Sequence, residues 1–385
     1  MTLAHPATTP DAATAHLLTE ETPDHERILI TTGARSGLTI IVAVHSTRLG
    51  QALGGARLWQ YDHWTDALAD ALRLSRAMTL KNAAAGLARG GGKSVIRVPR
   101  GVTLTADERI AAMRDLGDAV ESLGGAYMTA EDVGTSAELM AVVAERTDHV
   151  CGLPPEQGGV GEPADATAAG VLAGIRATVA ELFGDADLAG RHLVISGLGQ
   201  VGGRLARALA VEGARLTVTD VVDARRELAD ELRAEWVAPA DAHRVEADLF
   251  VPCGLGGVLT ADVIDELRVR AVVGAANNQL ARRESASLLA ERGILWAPDF
   301  VVNAGGVIYL DLASEPDADA AAIDARVATI GDTVRAVFRE AAASGTTTLA
   351  AAERLGDPGE GRRPGEAVGQ RGPVEQHAGG QRPQD

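Results

Sequence analysis

Cysteine, lysine and aromatic side chains are all scarce in this 385-residue chain, and each scarcity removes a class of protein. Cys151 and Cys253 are the only cysteines, too few for a disulfide framework, and they have neither a CxxC spacing nor neighbouring histidines to hold zinc. Both read as packing residues of a reducing cytosol, and no metal is expected. Aromatics make up 3% of the residues, whereas apolar types reach 46% and glycine occupies 44 positions. Aliphatic cores with tight turns fit an α/β protein and argue against an all-β sandwich. Positive charge is short as well. A formal net charge of −17 disfavours nucleic acid and anionic membranes as partners and favours small molecules. Residues 1–24 show no basic stretch followed by an apolar one, and no later segment offers about 18 uninterrupted apolar residues. Neither export nor membrane spanning is expected, so the cytoplasm is the expected location.

The shortage of lysine is the most specific of these facts. Arginine fills 34 of the 36 basic positions, and the two exceptions, Lys81 and Lys93, lie 12 positions apart in one Gly-rich stretch. Arginine keeps its proton near neutral pH, whereas a buried lysine can release it. Chance retention explains one surface lysine well and two clustered ones poorly, so the pair marks a place where proton release is needed.

Along the chain, residues 1–24 are expected to be a flexible N-terminus and 25–163 a first α/β domain. Apolar runs at Arg27 to Thr32 and Leu38 to His45 read as strands around the turn GARSG, and Ala56 to Tyr61 as a third. A long helix over 64–86 leads to GGGK and the strand SVIRV, and helices at 106–122 and 135–146 bracket AYMTAEDVG. Residues 153–166 read as a connecting loop. A helix over 166–183 opens a second domain, 164–312, where strands and helices alternate with near-continuous apolar strands. That pattern predicts a doubly wound parallel sheet of Rossmann type. Helices over 313–355 are expected to pack back toward the first domain. The tail 356–385 is rich in Gly, Pro, Gln and Arg and is expected to be disordered.

In the second domain Gly197, Gly199 and Gly202 follow the strand LVIS and open a helix, the context in which GxGxxG binds a dinucleotide. Asp220, 18 residues after Gly202, ends the next strand, where a carboxylate accepts ribose hydroxyls and repels a 2′-phosphate, so NAD is the expected cofactor. Gln200 and Val201 in the turn, with Asn278 and Asn303, complete the expected cofactor set. The bland alternative is a ligand-free turn capped by Asp220, and Arg225 and Arg226 soften the exclusion of NADP. In the first domain Asp132 lies in TAEDVG, where it can meet both lysines; its alternative is a salt bridge or cap. One ammonium can fix an α-carboxylate, the other can act as a base on water, and the aspartate can move protons on nitrogen. For Lys93 to be that base its pKa must fall from about 10.4 toward 7 to 8, by burial and a neighbouring cation, for which Lys81 is the candidate. Glu131 is one residue out of phase and is the weaker acid candidate.

Six ordered motifs, LGGARLW (53–59), MTLKNAAAGLARGGGKSVI (78–96), TAEDVGT (129–135), GLGQVG, GAANNQLA (274–281) and APDFVVNAGGVI (297–308), resemble the glutamate, leucine, phenylalanine and valine dehydrogenase family over about residues 25–355. The resemblance implies that Lys81 binds the substrate carboxylate, Lys93 is the catalytic base and Asp132 shuttles protons. It further implies that Asn278 lies near nicotinamide and substrate, that the Gly54 and Gly55 backbone borders the substrate, and that a cleft closes between a substrate domain and an NAD domain. A homo-oligomer is expected. Glutamate-specific members resemble KGG where this chain has LGG, so an apolar pocket of Leu53, Ala130, Val307 and Leu310 is expected, with Tyr309 packing behind it. The last 30 residues depart from the family's charged C-terminal helix. The expected activity is NAD-dependent interconversion of a branched-chain or aromatic L-amino acid with its 2-oxo acid and ammonia. Its rivals are a 2-hydroxy-acid dehydrogenase, which relies on a histidine and arginine pair, and a non-catalytic NAD sensor.

Overall fold

The first sheet is built from β1 (Arg27–Thr32), β2 (Thr39–Ser46), β3 (Ala52–Tyr61), β4 (Gly90–Pro99) and β5 (Tyr127–Glu131) in the order β1-β2-β4-β3-β5. The computed structural model describes residues 24–314 and 318–357, so nearly all of the expected flexible N-terminus and disordered tail lie outside it. β2 runs antiparallel to β1 and β4, whereas β3 runs parallel to β4 and β5. Ile40 to Val44 are buried without a break, because helices cover both faces of the sheet. Period two then sorts them: Ile41 and Ala43 meet Ala67 and Ala71 of α1 (Trp64–Ala84), while Ile40, Val42 and Val44 share a core with Met113 and Leu116 of α2 (Ala106–Glu121). α3 (Ala137–Ala144) packs beside α2.

The boundaries differ from the expected ones in an informative way. β3 starts at Ala52, not Ala56, and β4 takes in the three glycines, so Lys93 stands within the strand and not at its entry. Glycine runs depress strand propensity, yet pairing of Gly90 with Ala52 and of Gly91 with Leu53 extends both strands.

The second sheet is all parallel, with β6 (His192–Ser196), β7 (Arg215–Thr219), β8 (Glu235–Trp236), β9 (Leu249–Pro252), β10 (Ala271–Val272) and β11 (Leu295–Trp296) in the order β11-β10-β9-β6-β7-β8. This is the doubly wound order, with its reversal between β6 and β9. The last two strands are shorter than their apolar runs. Around the sheet lie α4 (Ala164–Phe183), α5 (Gln200–Val211), α6 (Arg226–Leu232), α7 (Ala261–Glu266), α8 (Ser285–Glu291), α9 (Asp299–Val302) and α10 (Gly305–Ala313). α4 has the length and mean hydropathy, 1.3, of a membrane span. Its Val171, Ile175 and Val179 are instead fully buried in the core beneath the sheet, where each such side chain contributes about 1.5–3 kcal/mol.

The chain ends in α11 (Ala320–Ala328), α12 (Ile330–Ser344) and α13 (Thr348–Gly356). Val334, Val337, Ala351 and Ala352 of these helices share one core cluster with Ala84, Ala85 and Leu87 at the end of α1. Gly356, where the featureless tail was expected to begin, is buried inside α13 against Leu80. Composition changes there, but a side-chain-free residue is what a close helix contact admits.

Candidate active site

β3, β4 and the end of β5 place three charged groups within reach of one another. Lys93 Nζ stands 3.1 Å from Asp132 Oδ2, and Arg57 donates its Nε–H to the same oxygen at 2.9 Å. Residues 53, 55 and 57 share a face of β3 by the strand period, so Gly55 lies between Leu53 and Arg57 on the side that meets Asp132. A Cβ on Gly55 would come 2.7 Å from Asp132 Cβ and 3.2 Å from Lys93 Nζ. Only glycine leaves room for the pair.

Burial pushes the Lys93 ammonium below its ordinary range, with Asp132 opposing and Arg57 assisting. Arg57, which shares the Asp132 carboxylate, is the cation that depresses Lys93, and the expected repulsion between Lys81 and Lys93 falls on Lys81. Burial alone would raise the Asp132 carboxyl, but Lys93 and Arg57 outweigh it and hold it below the usual carboxylate range. Lys81, on the last turn of α1, donates to Asn277 Oδ1 at 3.3 Å; desolvation pushes it down to about 8 against the attraction of Asp299. Asp299 is itself buried, which raises its carboxyl, and it accepts the Asn278 amide.

These groups open into a cleft of about 350 Å³ between the two sheets. Every residue expected for catalysis or substrate lines it, as do Val201 and Asn303 from the expected cofactor set. Leu53 and Ala130 form a small buried cluster with Cys151, against which Met128 and Val307 pack. Burial pushes the Cys151 thiol up to about 12, so it packs as an apolar side chain against Leu53 and Ala130. Tyr309 stands behind the cleft and donates its hydroxyl to the Val160 carbonyl. Glu131 also reaches the cleft, with its carboxyl raised by burial. No histidine is among the lining residues, which removes the basis of the 2-hydroxy-acid reading.

On the opposite wall the glycine turn leaves β6. Gly197 adopts φ 109°, and a Cβ on Gly202 would fall 2.0 Å from the Gly197 carbonyl oxygen. Above Gly199 the space is open, and no side chain caps the N-terminus of α5. An open cradle with uncapped amides fits a pyrophosphate. Gly199 and Gln200 face a recess of about 260 Å³ bordered by Arg204, Arg207 and Arg225. Asp220 accepts the amides of Leu198 at 2.6 Å and Val222 at 2.8 Å, so it ties the turn to the end of β7 as well as facing outward. Asn303 donates to Ala275 O and Asn277 Oδ1, at 3.1 and 2.9 Å, and its own Oδ1 is buried without a partner, an acceptor a carboxamide could satisfy.

Sequence reasoning missed Arg57, Asp70, Asn277 and Asp299, and it read Cys151 as a packing residue without placing it against Leu53. Arg57 sits in the quoted LGGARLW on the face of Gly55, and Asp299 in APDFVVNAGG, so their motifs were in view but their partners were not.

An open glycine turn whose helix lends Val201 to the cleft of a desolvated lysine–carboxylate pair defines a dehydrogenase built on two sheets. Family comparison gives this class its place: a model described as "Glu/Leu/Phe/Val dehydrogenase, dimerisation domain" matches residues 25–149, and one described as "Glutamate/Leucine/Phenylalanine/Valine dehydrogenase" matches 217–356. The chain belongs to this family. It is 44% identical over 290 residues to leucine dehydrogenase of Geobacillus stearothermophilus, covering 75% of this chain and 78% of that one. It is likewise 44% identical over 339 residues to valine dehydrogenase of Streptomyces albus, covering 86% and 91%. Among solved structures, L-tryptophan dehydrogenase from Nostoc punctiforme superposes with a TM-score of 0.75 at 34% identity, covering 89% of this chain and 96% of that one.

Proposed function

We propose that the protein catalyses NAD-dependent oxidative deamination of an apolar L-amino acid, branched-chain or aromatic, to its 2-oxo acid and ammonia, and the reverse reductive amination. The observation that carries this reading is that Lys81, Lys93 and Asp132 meet an apolar wall around Leu53 in the cleft that faces the glycine turn. A bound dinucleotide would supply the hydride-transfer chemistry at Cα in both directions. Lys81 as an ammonium pairs with the α-carboxylate. Lys93, neutral, takes the proton of the water that adds to the substrate carbon, and Asp132 receives and returns protons at nitrogen. Val307 and Leu310 close the apolar side, and Gly54 and Gly55 present backbone to the substrate. Asn278 and Asn303 would supply polar atoms to the nicotinamide end of the cofactor, and Gly197, Gly199, Gln200, Val201 and Gly202 would hold its phosphates.

NAD over NADP is supported by Asp220, whose carboxylate is fixed at the ribose end of the turn and keeps lone pairs for hydroxyls. A homo-oligomer is supported by the edge strand β1, which leaves Ile28 and Ile30 38% and 45% exposed, and by the matched family's description as a dimerisation domain. Two free cysteines, with thiols pushed up by burial, suit the cytosol. The deciding experiment follows NADH oxidation with ammonia against a panel of 2-oxo acids. Turnover confined to apolar acids is expected, and none with any of them overturns the assignment.

A further inference from the structure

Arg57 has work to do beyond Asp132. Its NH1 donates to Asp70 Oδ2 at 2.8 Å, and the same Asp70 oxygen accepts the Tyr61 hydroxyl at 2.7 Å. The other Asp70 oxygen accepts Arg73 NH2 at 2.6 Å, and Arg73 NH1 in turn donates to Asn278 Oδ1 at 3.0 Å. Asn278 belongs to the opposite wall of the cleft, in a left-handed conformation at φ 52°, with its amide on Asp299. An unbroken run of hydrogen bonds therefore leads from the second domain, through Arg73, Asp70 and Arg57, to the oxygen that Lys93 faces. Its signs alternate, so each ion is compensated, and Arg57 and Asp70 are 18% and 15% exposed, too dry for solvent to screen them well. Arg73 is 54% exposed and makes the only link of the run that crosses the cleft.

We propose that Arg57, Asp70 and Arg73 are positioning residues that couple the approach of Asn278, and with it closure of the cleft, to the aim and charge of the Asp132–Lys93 pair. When the walls part, Arg73 loses its far partner, Asp70 is held on one side only, and the grip of Arg57 on Asp132 loosens. The reacting carboxylate and amine are then brought into register by the closing that also excludes water. The coupling rests on the assignment of Asp132 and Lys93 to catalysis. The charged and titratable groups facing Lys93 are Asp132 beyond β5, Arg57 on β3 and Asp70 on α1; Lys81 on α1 and Tyr127 on β5 feel the same cluster, and Asp299 acts on Lys81.

The two-lysine composition makes a direct test possible, since lysine labelled with 13C at Cε yields two side-chain signals whose titration is followed by NMR on the full chain. Arg57→Gln removes a cation and should raise the Lys93 midpoint by about half a unit or more, while Asp70→Asn removes an anion and should lower it. Opposite signs are not produced by general loosening, and the Asp70 variant carries the test if Arg57→Gln fails to fold. Arg73→Ala should shift the midpoint, and should shift it less once Asn278→Gly, which keeps the left-handed backbone, has removed its partner. The pH limb of kcat/KM should move with the Lys93 midpoint. Unmoved midpoints in the first two variants, or additive shifts in the Arg73 and Asn278 pair, overturn the coupling. If midpoints move as stated but no apolar 2-oxo acid is reduced, the functional reading falls and the coupling stands. If the enzyme is active but the midpoints stay put, the coupling falls and the functional reading stands.

Discussion

The two walls of the cleft hold their charges by different means. In the wall from the first sheet, Lys93, Asp132, Arg57 and Asp70 are held by one another at 2.8 to 3.1 Å, and their protonation is set by desolvation and by neighbouring ions. In the other, Asp220 is held by two backbone amides of the turn and strand end that carry it. A group positioned by other side chains acquires a tuned charge but resets when any partner changes. A group positioned by backbone keeps its place when the side chains around it change. The proton chemistry proposed for the first wall draws on such tuning, and the ribose recognition proposed for Asp220 draws on a fixed position.

Four measurements would break or sharpen this contrast. The largest effect should come from Lys93→Arg, which keeps the charge but cannot give up its proton. Turnover should fall by about 1,000-fold or more, several kcal/mol, with little change in Tm, and near-normal turnover would remove Lys93 from the chemistry. Next is the apolar wall. The 2-oxo acids of valine, leucine or phenylalanine should be reduced with kcat/KM at least about 100-fold above 2-oxoglutarate, since a buried, unpaired side-chain carboxylate costs several kcal/mol. Leu53→Lys should move the ratio toward 2-oxoglutarate, and a wild-type ratio near one would contradict the pocket. Third is pH. Lys81 titrates at about 8, and only its protonated form attracts a carboxylate. KM for the 2-oxo acid should therefore be flat below pH 8 and climb as pH rises above it, up to about tenfold per unit; a flat KM through pH 9.5 would exclude Lys81 from carboxylate binding. The smallest effect belongs to the backbone-held group. Asp220→Ser should narrow the preference for NAD over NADP by about tenfold or less while leaving the kcat pH profile in place, and an NADP preference in the unmodified enzyme would refute the role of Asp220.

What could be read in the sequence follows the same division. The glycine turn and Asp220 were legible because a backbone-defined site is local: three glycines after an apolar strand and an acid at the next strand end suffice. Lys81 and Lys93 were legible for an unusual reason, their rarity among 34 arginines. That background hid Arg57, since nothing local distinguishes it from the other arginines; its importance arises from β3–β5 pairing, which brings residue 56 opposite residue 131. Asp299 was hidden likewise, because its partners Asn278 and Lys81 come from remote segments. The doubly wound order could be anticipated from alternating strands and helices. The short ends of β10 and β11 could not, because strand length there is set by how many residues the neighbouring strand pairs, two in each case.

The hydrophobic cluster that joins the end of α1 to α12 and α13 bears on how the molecule comes apart. Ala84, Ala85 and Leu87 belong to the chain segment of the first sheet, yet their apolar surface is buried against helices that follow the second. Melting either half alone would strip that shared surface from the half left standing. Heating should therefore disorder both together, as one endotherm with no separate transition for either sheet.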